Sequence, residues 1–139
     1  MKSGTLLNSG ISSVISRMGH GDGLVIGDAG LPIPSGPERI DLALARGLPS
    51  FIQTLEVVLS ELCVERLVLA EEIKSANPAQ YAAIEGVLAA YRRRTGFRAE
   101  AVFVPHEEFK RKTASSLAVV RTGECSPYSN VILLSGVVF

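Results

Sequence analysis

Tryptophan is missing altogether, and cysteine, methionine and histidine occur twice each. Without an indole to stack on, a small polar ligand would be held mainly by hydrogen bonds. Cys63 and Cys125 are too few and too far apart for a disulfide framework or a zinc ribbon, and Cys63, between Leu62 and Val64, reads as a core residue, so neither points to redox chemistry. Net charge is missing as well: 14 Lys and Arg balance 14 Asp and Glu. No whole-molecule field would draw in DNA, RNA or an anionic membrane, which leaves a small, uncharged partner. No apolar run is long enough to span a bilayer, and the segment from Met1 to Asn8 carries no signal-like apolar stretch, so a cytoplasmic location is expected. With 47% hydrophobic and 20% charged residues over 139 positions, the chain is globular and the size of one domain, 1–139.

Glycine, by contrast, is concentrated. In the stretch from Gly19 to Pro34, five glycines and two prolines surround the short apolar strand Leu24-Val25-Ile26, with His20 before it and Asp28 after it. Glycine is costly inside regular elements and is expected where the chain turns or a ligand approaches. The segment therefore reads either as an active-site rim or as a tight turn with solvated polar residues.

Ile11, Val14, Ile15 and Met18 fall at helical spacing after Asn8 or Ser9 as cap, and Gly19 stops that helix. Beyond Ile26 comes a long connection in which Leu31-Pro32-Ile33-Pro34 is too proline-rich for helix or central strand. Ser50 caps a helix to about Leu59, and Val64 to Ala70 reads as a strand. Asn77-Pro78 starts a helix that ends near Thr95-Gly96, with the Arg92-Arg93-Arg94 run as solvated surface at its negative end. Strands at Ala99 to Val104, Leu117 to Arg121 and Val131 to Leu134 follow, with a short helix over residues 107–110. This alternation predicts one three-layer α/β domain, a mostly parallel or mixed sheet with helices on both faces. Ligands of such sheets sit in loops beyond the strand ends, which draws together Asp28, His106 and the loop after Arg121.

That last loop, from Gly123 to Asn130, holds a carboxylate, two serines, a phenol and an amide in eight residues. It is suited to hydrogen-bonding a polyol, although on this segment alone a polar turn capped by Pro127 is the simpler account. Other chemistries fit poorly. Glycines 19, 21 and 23 precede their strand and miss the dinucleotide spacing, and neither a phosphate loop nor a nucleophile elbow is present. His20, His106 and Asp28 are the one set that would make a facial metal triad.

Taken together, Gly19-His20-Gly21-Asp22, Asp28-Ala29-Gly30-Leu31-Pro32-Ile33-Pro34, Pro105-His106-Glu107-Glu108-Phe109 and Gly123-Glu124-Cys125-Ser126-Pro127-Tyr128-Ser129-Asn130 resemble the D-ribose pyranase and L-fucose mutarotase family along the whole chain. The second and fourth motifs look like the ribose branch; Gly21 looks more like the fucose branch. The resemblance implies an isomerase that interconverts pyranose and furanose D-ribose by acid-base ring opening and reclosure. It implies His20 as the acid-base residue and Asp28, His106, Tyr128, Ser129 and Asn130 as sugar contacts. It also implies a ring-shaped homo-oligomer, usually a decamer of two stacked pentamers. The alternatives are a fucose mutarotase and a non-catalytic sugar-binding protein.

The implied reaction moves only protons, and one acid-base group is worth about 10²- to 10⁴-fold, so no cofactor and no metal is expected. Histidine suits the task, having an unperturbed pKa of about 6.5. His20 and Asp28 are eight positions apart, up to roughly 26 Å if extended, so either the glycine turn folds His20 back or a neighbouring subunit supplies part of the site. Finally, Val131 to Phe139 lacks any charged side chain, and Val137-Val138-Phe139 is expected to pack at a subunit interface.

Overall fold

The computed structural model describes residues 1–139. Its elements, in chain order, are α1 (Ser9–Arg17), β1 (Gly23–Gly27), β2 (Glu38–Asp41), α2 (Phe51–Leu59), β3 (Val64–Ala70), α3 (Ile73–Ala76), α4 (Pro78–Thr95), β4 (Glu100–Val104), α5 (His106–Thr113), β5 (Ala118–Arg121) and β6 (Val131–Ser135). The helix starts follow local chemistry. Asn8 caps α1 by accepting from the Ile11 N–H, Ser50 and Gln53 form a reciprocal capping box on α2, and Asn77 caps α4 with Pro78 behind it. Gly96, at φ 77°, ends α4 in the left-handed conformation that glycine adopts freely.

The six strands form one mixed sheet in the order β2-β5-β1-β6-β3-β4. β6 runs antiparallel to both neighbours, β1 and β3, and every other pairing is parallel. Side chains alternate across the sheet with period two. Leu24, Ile26, Leu67, Leu69, Val131 and Leu133 join the larger core with residues of α1, α2 and α4, while Val25, Val68, Val119 and Ile132 meet Phe109 of α5 on the other face. Helices thus cover both faces, as the sequence led us to expect.

Two elements depart from that expectation. The connection after β1 contains β2, an edge strand in which only Ile40 is buried. A single inward residue leaves no period to read, and β2 exists because β5 supplies its backbone partners. The one-turn α3 is also additional; it is too short to show a helical repeat. The arginine run does more than face solvent. Arg92 donates to the carbonyls of Arg98 and Ala99, and Arg94 donates to Leu59 O, tying the end of α4 to its surroundings. Cys63 is half-buried rather than in the core, and burial pushes its thiol pKa up.

Because β6 runs against its neighbours, its first residue lies at the same sheet edge as the last residues of β1 and β3. Register fixes this: Val131 pairs with Ile26 and Leu69, while Leu134 pairs with Gly23 and Arg66 at the opposite edge. All loops that follow parallel strands, together with the loop that precedes β6, therefore share one edge. The loop before β1 and the segment after β6 share the other.

Candidate active site

Asp28 leaves β1 at the first of these edges and is locked to the residue that opens β6. The Asp28 N–H donates to Asn130 Oδ1 at 2.8 Å, and Asn130 Nδ2 donates back to Asp28 Oδ2 at 2.9 Å. Asn130 is buried, so both ends of its amide are committed to holding the carboxylate in place. The other carboxylate oxygen, Oδ1, accepts from the Gly30 N–H at 2.9 Å, which fixes the turn that follows.

His106 begins α5. Pro105, in the capping position, offers no side-chain bond, and the carboxylate of Glu72 substitutes for it: both oxygens lie 3.0 Å from the His106 N–H. A negative charge at that helix end is favourable. The imidazole stacks on Phe109 at 6.2 Å and stands edge-on to Tyr128 at 5.1 Å. Its Nδ1 is the one buried side-chain polar atom without a hydrogen-bond partner. In a chain that satisfies its other buried polar side-chain atoms, that leaves hydrogen-bonding capacity beside Tyr128.

The loop from 123 to 130 is held from several sides. Tyr128 sits at φ 57°, a strained conformation for an aromatic residue, with its carbonyl accepting from the Asn130 N–H. Ser126 and Ser129 share a hydroxyl bond of 2.8 Å, and Asn77 donates to Pro127 O. Glu124 organises the base of the loop, its carboxylate accepting from the N–H groups of Cys125 and Ser126 at 3.0 Å and of Phe51 at 3.4 Å. Sequence reasoning missed this role; the signal available was a carboxylate one to two residues before backbone donors that no helix or strand uses.

Burial raises the Glu124 pKa, but the hydrogen bonds from Ser126, Phe51 and Cys125 outweigh it, and the net displacement is downward. A carboxyl depressed in the folded state contributes stability that is present above its unfolded pKa, about 4.3, and lost as pH falls through the folded value. Wild type is therefore expected to lose stability relative to Glu124→Gln as the pH drops below that point. Denaturant titrations of both proteins along a pH series check it, and a constant difference between them would contradict it.

His20 is elsewhere. It precedes β1 at the opposite edge, exposed, with Nε2 2.6 Å from Glu65 Oε2 of β3. The length of β1, roughly 13 Å of extended chain, separates it from Asp28. The structure therefore brings together Asp28, His106, Tyr128, Ser129 and Asn130 and leaves His20 apart. Asp28 does not orient His20 within one chain, and His20, His106 and Asp28 do not converge as a metal triad; no group of three potential ligand side chains does so anywhere.

Other hollows are chemically different. The cleft of about 400 Å³ between α1 and α2 is lined by Leu6, Leu7, Ile11, Pro49 and Val57, among others, and is largely apolar. No helix is long and apolar enough to cross a membrane.

A D-ribose pyranase of Cronobacter sakazakii is 55% identical over 139 residues, covering both chains entirely. The structure of Bacillus subtilis RbsD complexed with D-ribose superposes with a TM-score of 0.90 at 41% identity, again over the whole of both chains. The fucose mutarotase from Streptococcus pneumoniae in complex with L-fucose shares the fold, with a TM-score of 0.83 at 20% identity over both full chains. The model of the RbsD / FucU transport protein family matches residues 1–138, nearly every position of the sheet, its helices and both edges, and the chain belongs to that family.

Proposed function

We propose that this protein is an isomerase that interconverts the pyranose and furanose forms of D-ribose. The observation that carries the proposal is the polar cradle at one sheet edge: a carboxylate clamped by Asn130, and, two residues before Asn130, a Tyr128 ring set against His106, whose Nδ1 has no partner. High similarity to a protein named D-ribose pyranase, and to a structure complexed with D-ribose, supports the choice of sugar. Asp28 accepts hydrogen bonds from the sugar hydroxyls, His106 and the second Nδ2 hydrogen of Asn130 complete the polar contacts, and Tyr128 offers both a ring face and a hydroxyl. Ser129, buried and bonded to Ser126, shapes the loop around the sugar.

The chemistry is a proton exchange. The base takes the proton of the anomeric hydroxyl as the C1 to ring-oxygen bond breaks, and the ring oxygen gains a proton to give the open aldehyde. The C4 hydroxyl then adds to C1 and loses its proton, while the carbonyl oxygen gains one. Protons balance over the cycle, and no electron is gained or lost. His20 is the acid-base group. Since it stands at the edge opposite the cradle, the reading requires two copies: the His20 edge of one subunit meets the cradle edge of the next.

Such a head-to-tail contact closes into a ring when the rotation permits, which suits a decamer of two pentamers. Val138 and Phe139, exposed at the His20 edge, supply apolar surface for the same contact. Ring-form exchange of ribose, followed by NMR saturation transfer, tests the function. Catalysed exchange that persists with a chelator present is expected. Binding of ribose without accelerated exchange would leave a sugar-binding protein, and catalysis of fucose but not ribose anomers would reassign the substrate.

A further inference from the structure

The edge that carries His20 is built with more precision than an exposed loop needs. The flanking glycines are both strapped to the end of β6: the Gly21 N–H donates to Ser135 O at 2.9 Å, and the Ser135 hydroxyl donates to Gly19 O. The Asp22 carboxylate closes the same turn by accepting from the Gly19 N–H at 2.8 Å. Opposite this strap the sheet register slips. Val64 pairs with Ser135 and Arg66 with Leu134, so β3 advances two residues where β6 advances one, and Glu65 is the extra, unpaired residue of a bulge in β3. Bulges of this kind re-aim a side chain and are frequent beside active sites. Here the re-aimed side chain is Glu65, and it ends 2.6 Å from His20 Nε2.

We infer that Glu65 is a positioning residue for His20: it holds the ring in the tautomer that carries its proton on Nε2 and so presents Nδ1 as the nitrogen that exchanges protons with substrate. A carboxylate accepts and does not donate, so a short contact with Nε2 requires hydrogen there, and in the neutral ring this leaves the lone pair on Nδ1. Both side chains are more than half exposed, so the pair adds little to stability. What it supplies is orientation. The face of the ring turned from Glu65 is the face a neighbouring cradle would meet, and the inference rests on the acid-base role of His20 proposed above.

The chain has only two histidines, so their imidazole nitrogens are resolved and assigned by one His106→Ala spectrum. With 15N-labelled rings at alkaline pH, His20 is expected to show a protonated Nε2 and a bare Nδ1 in wild type. Glu65→Gln, whose amide oxygen still accepts, keeps that pattern and most of the activity. Glu65→Ala mixes the two tautomers and lowers kcat for ribose exchange about tenfold, part of the whole acid-base contribution, with KM unchanged because the cradle is untouched. Wild-type tautomer ratio and kcat in Glu65→Ala, or a proton resident on Nδ1 in wild type, would overturn the inference. Full exchange by His20→Ala would instead remove the acid-base role of His20, leaving the tautomer measurement to stand or fall separately.

Discussion

Subunits carrying His20→Ala and subunits carrying Asn130→Ala, each inactive when pure, are expected to regain exchange activity when unfolded together and reassembled. His20 and Asn130 lie at opposite ends of the sheet, so no single chain brings them to one sugar. Loss of His20 removes the proton carrier and lowers exchange by about 10²- to 10⁴-fold, with stability unchanged because the side chain is exposed. Loss of Asn130 unclamps Asp28, leaving its N–H and one carboxylate oxygen without their partners at a cost of about 1–3 kcal/mol.

In a mixed assembly an Asn130→Ala subunit donates an intact His20 edge to the intact cradle of a His20→Ala neighbour. Random mixing at equal amounts restores about a quarter of the sites in a head-to-tail ring. Native mass spectrometry verifies that the two types have mixed, and His106→Ala serves as a second cradle variant. Mixed assemblies no more active than their components would show that the two edges do not share a site, and a fully active monomer in light scattering would refute the ring as well.

Much of this arrangement was legible in the residues, for identifiable reasons. Short unbroken apolar runs at Leu24-Val25-Ile26 and in residues 131–134, and sharp caps at Asn8, Ser50 and Asn77, pointed to an α/β sheet with helices on both faces. The rule that ligands gather beyond strand ends drew Asp28, His106 and the 123–130 loop together before their contacts were known. β2 escaped because an edge strand with one buried residue depends on its partner rather than on its own pattern. Glu65 escaped for a related reason. Its role comes from a register slip between β3 and β6, a property of two segments about 70 residues apart that neither segment carries alone. Glu124 and Glu72 likewise act on backbone N–H groups distant in sequence, Phe51 and His106 respectively. The separation of His20 from Asp28 was visible as a chain-length difficulty; only the direction of β1 turns it into a division between two edges.

Gly123→Ala is expected to disable the cradle without touching any residue that meets the sugar. Gly123 is buried where the loop before β6 crosses the turn before α2: its N–H donates to Pro49 O at 2.9 Å and its carbonyl accepts from the Gly47 N–H at 2.6 Å. A methyl group placed there runs into backbone, against Ala45 O and within 2.5 Å of Leu48 O and 2.6 Å of Leu48 N. Backbone held by hydrogen bonds does not swing aside as a side-chain tip does, so the loop itself must shift. The shift begins one residue before Glu124, whose carboxylate seats the loop on the Phe51 N–H, and it is passed on to Tyr128, Ser129 and Asn130.

Overpacking of this kind costs about 1–3 kcal/mol, and here the displaced segment is also the binding loop. The expected result is a lower denaturation midpoint together with a ribose affinity reduced well beyond what the unfolded fraction explains. Gly86→Ala is the matched control. Gly86 lies within α4 with nothing near a new Cβ, so the same added methyl should stabilise by about 0.5–1 kcal/mol and leave binding unchanged. If Gly123→Ala bound ribose as wild type does, the loop would be free to move without consequence, and the clamp of Asp28 by Asn130 could not be what fixes the cradle.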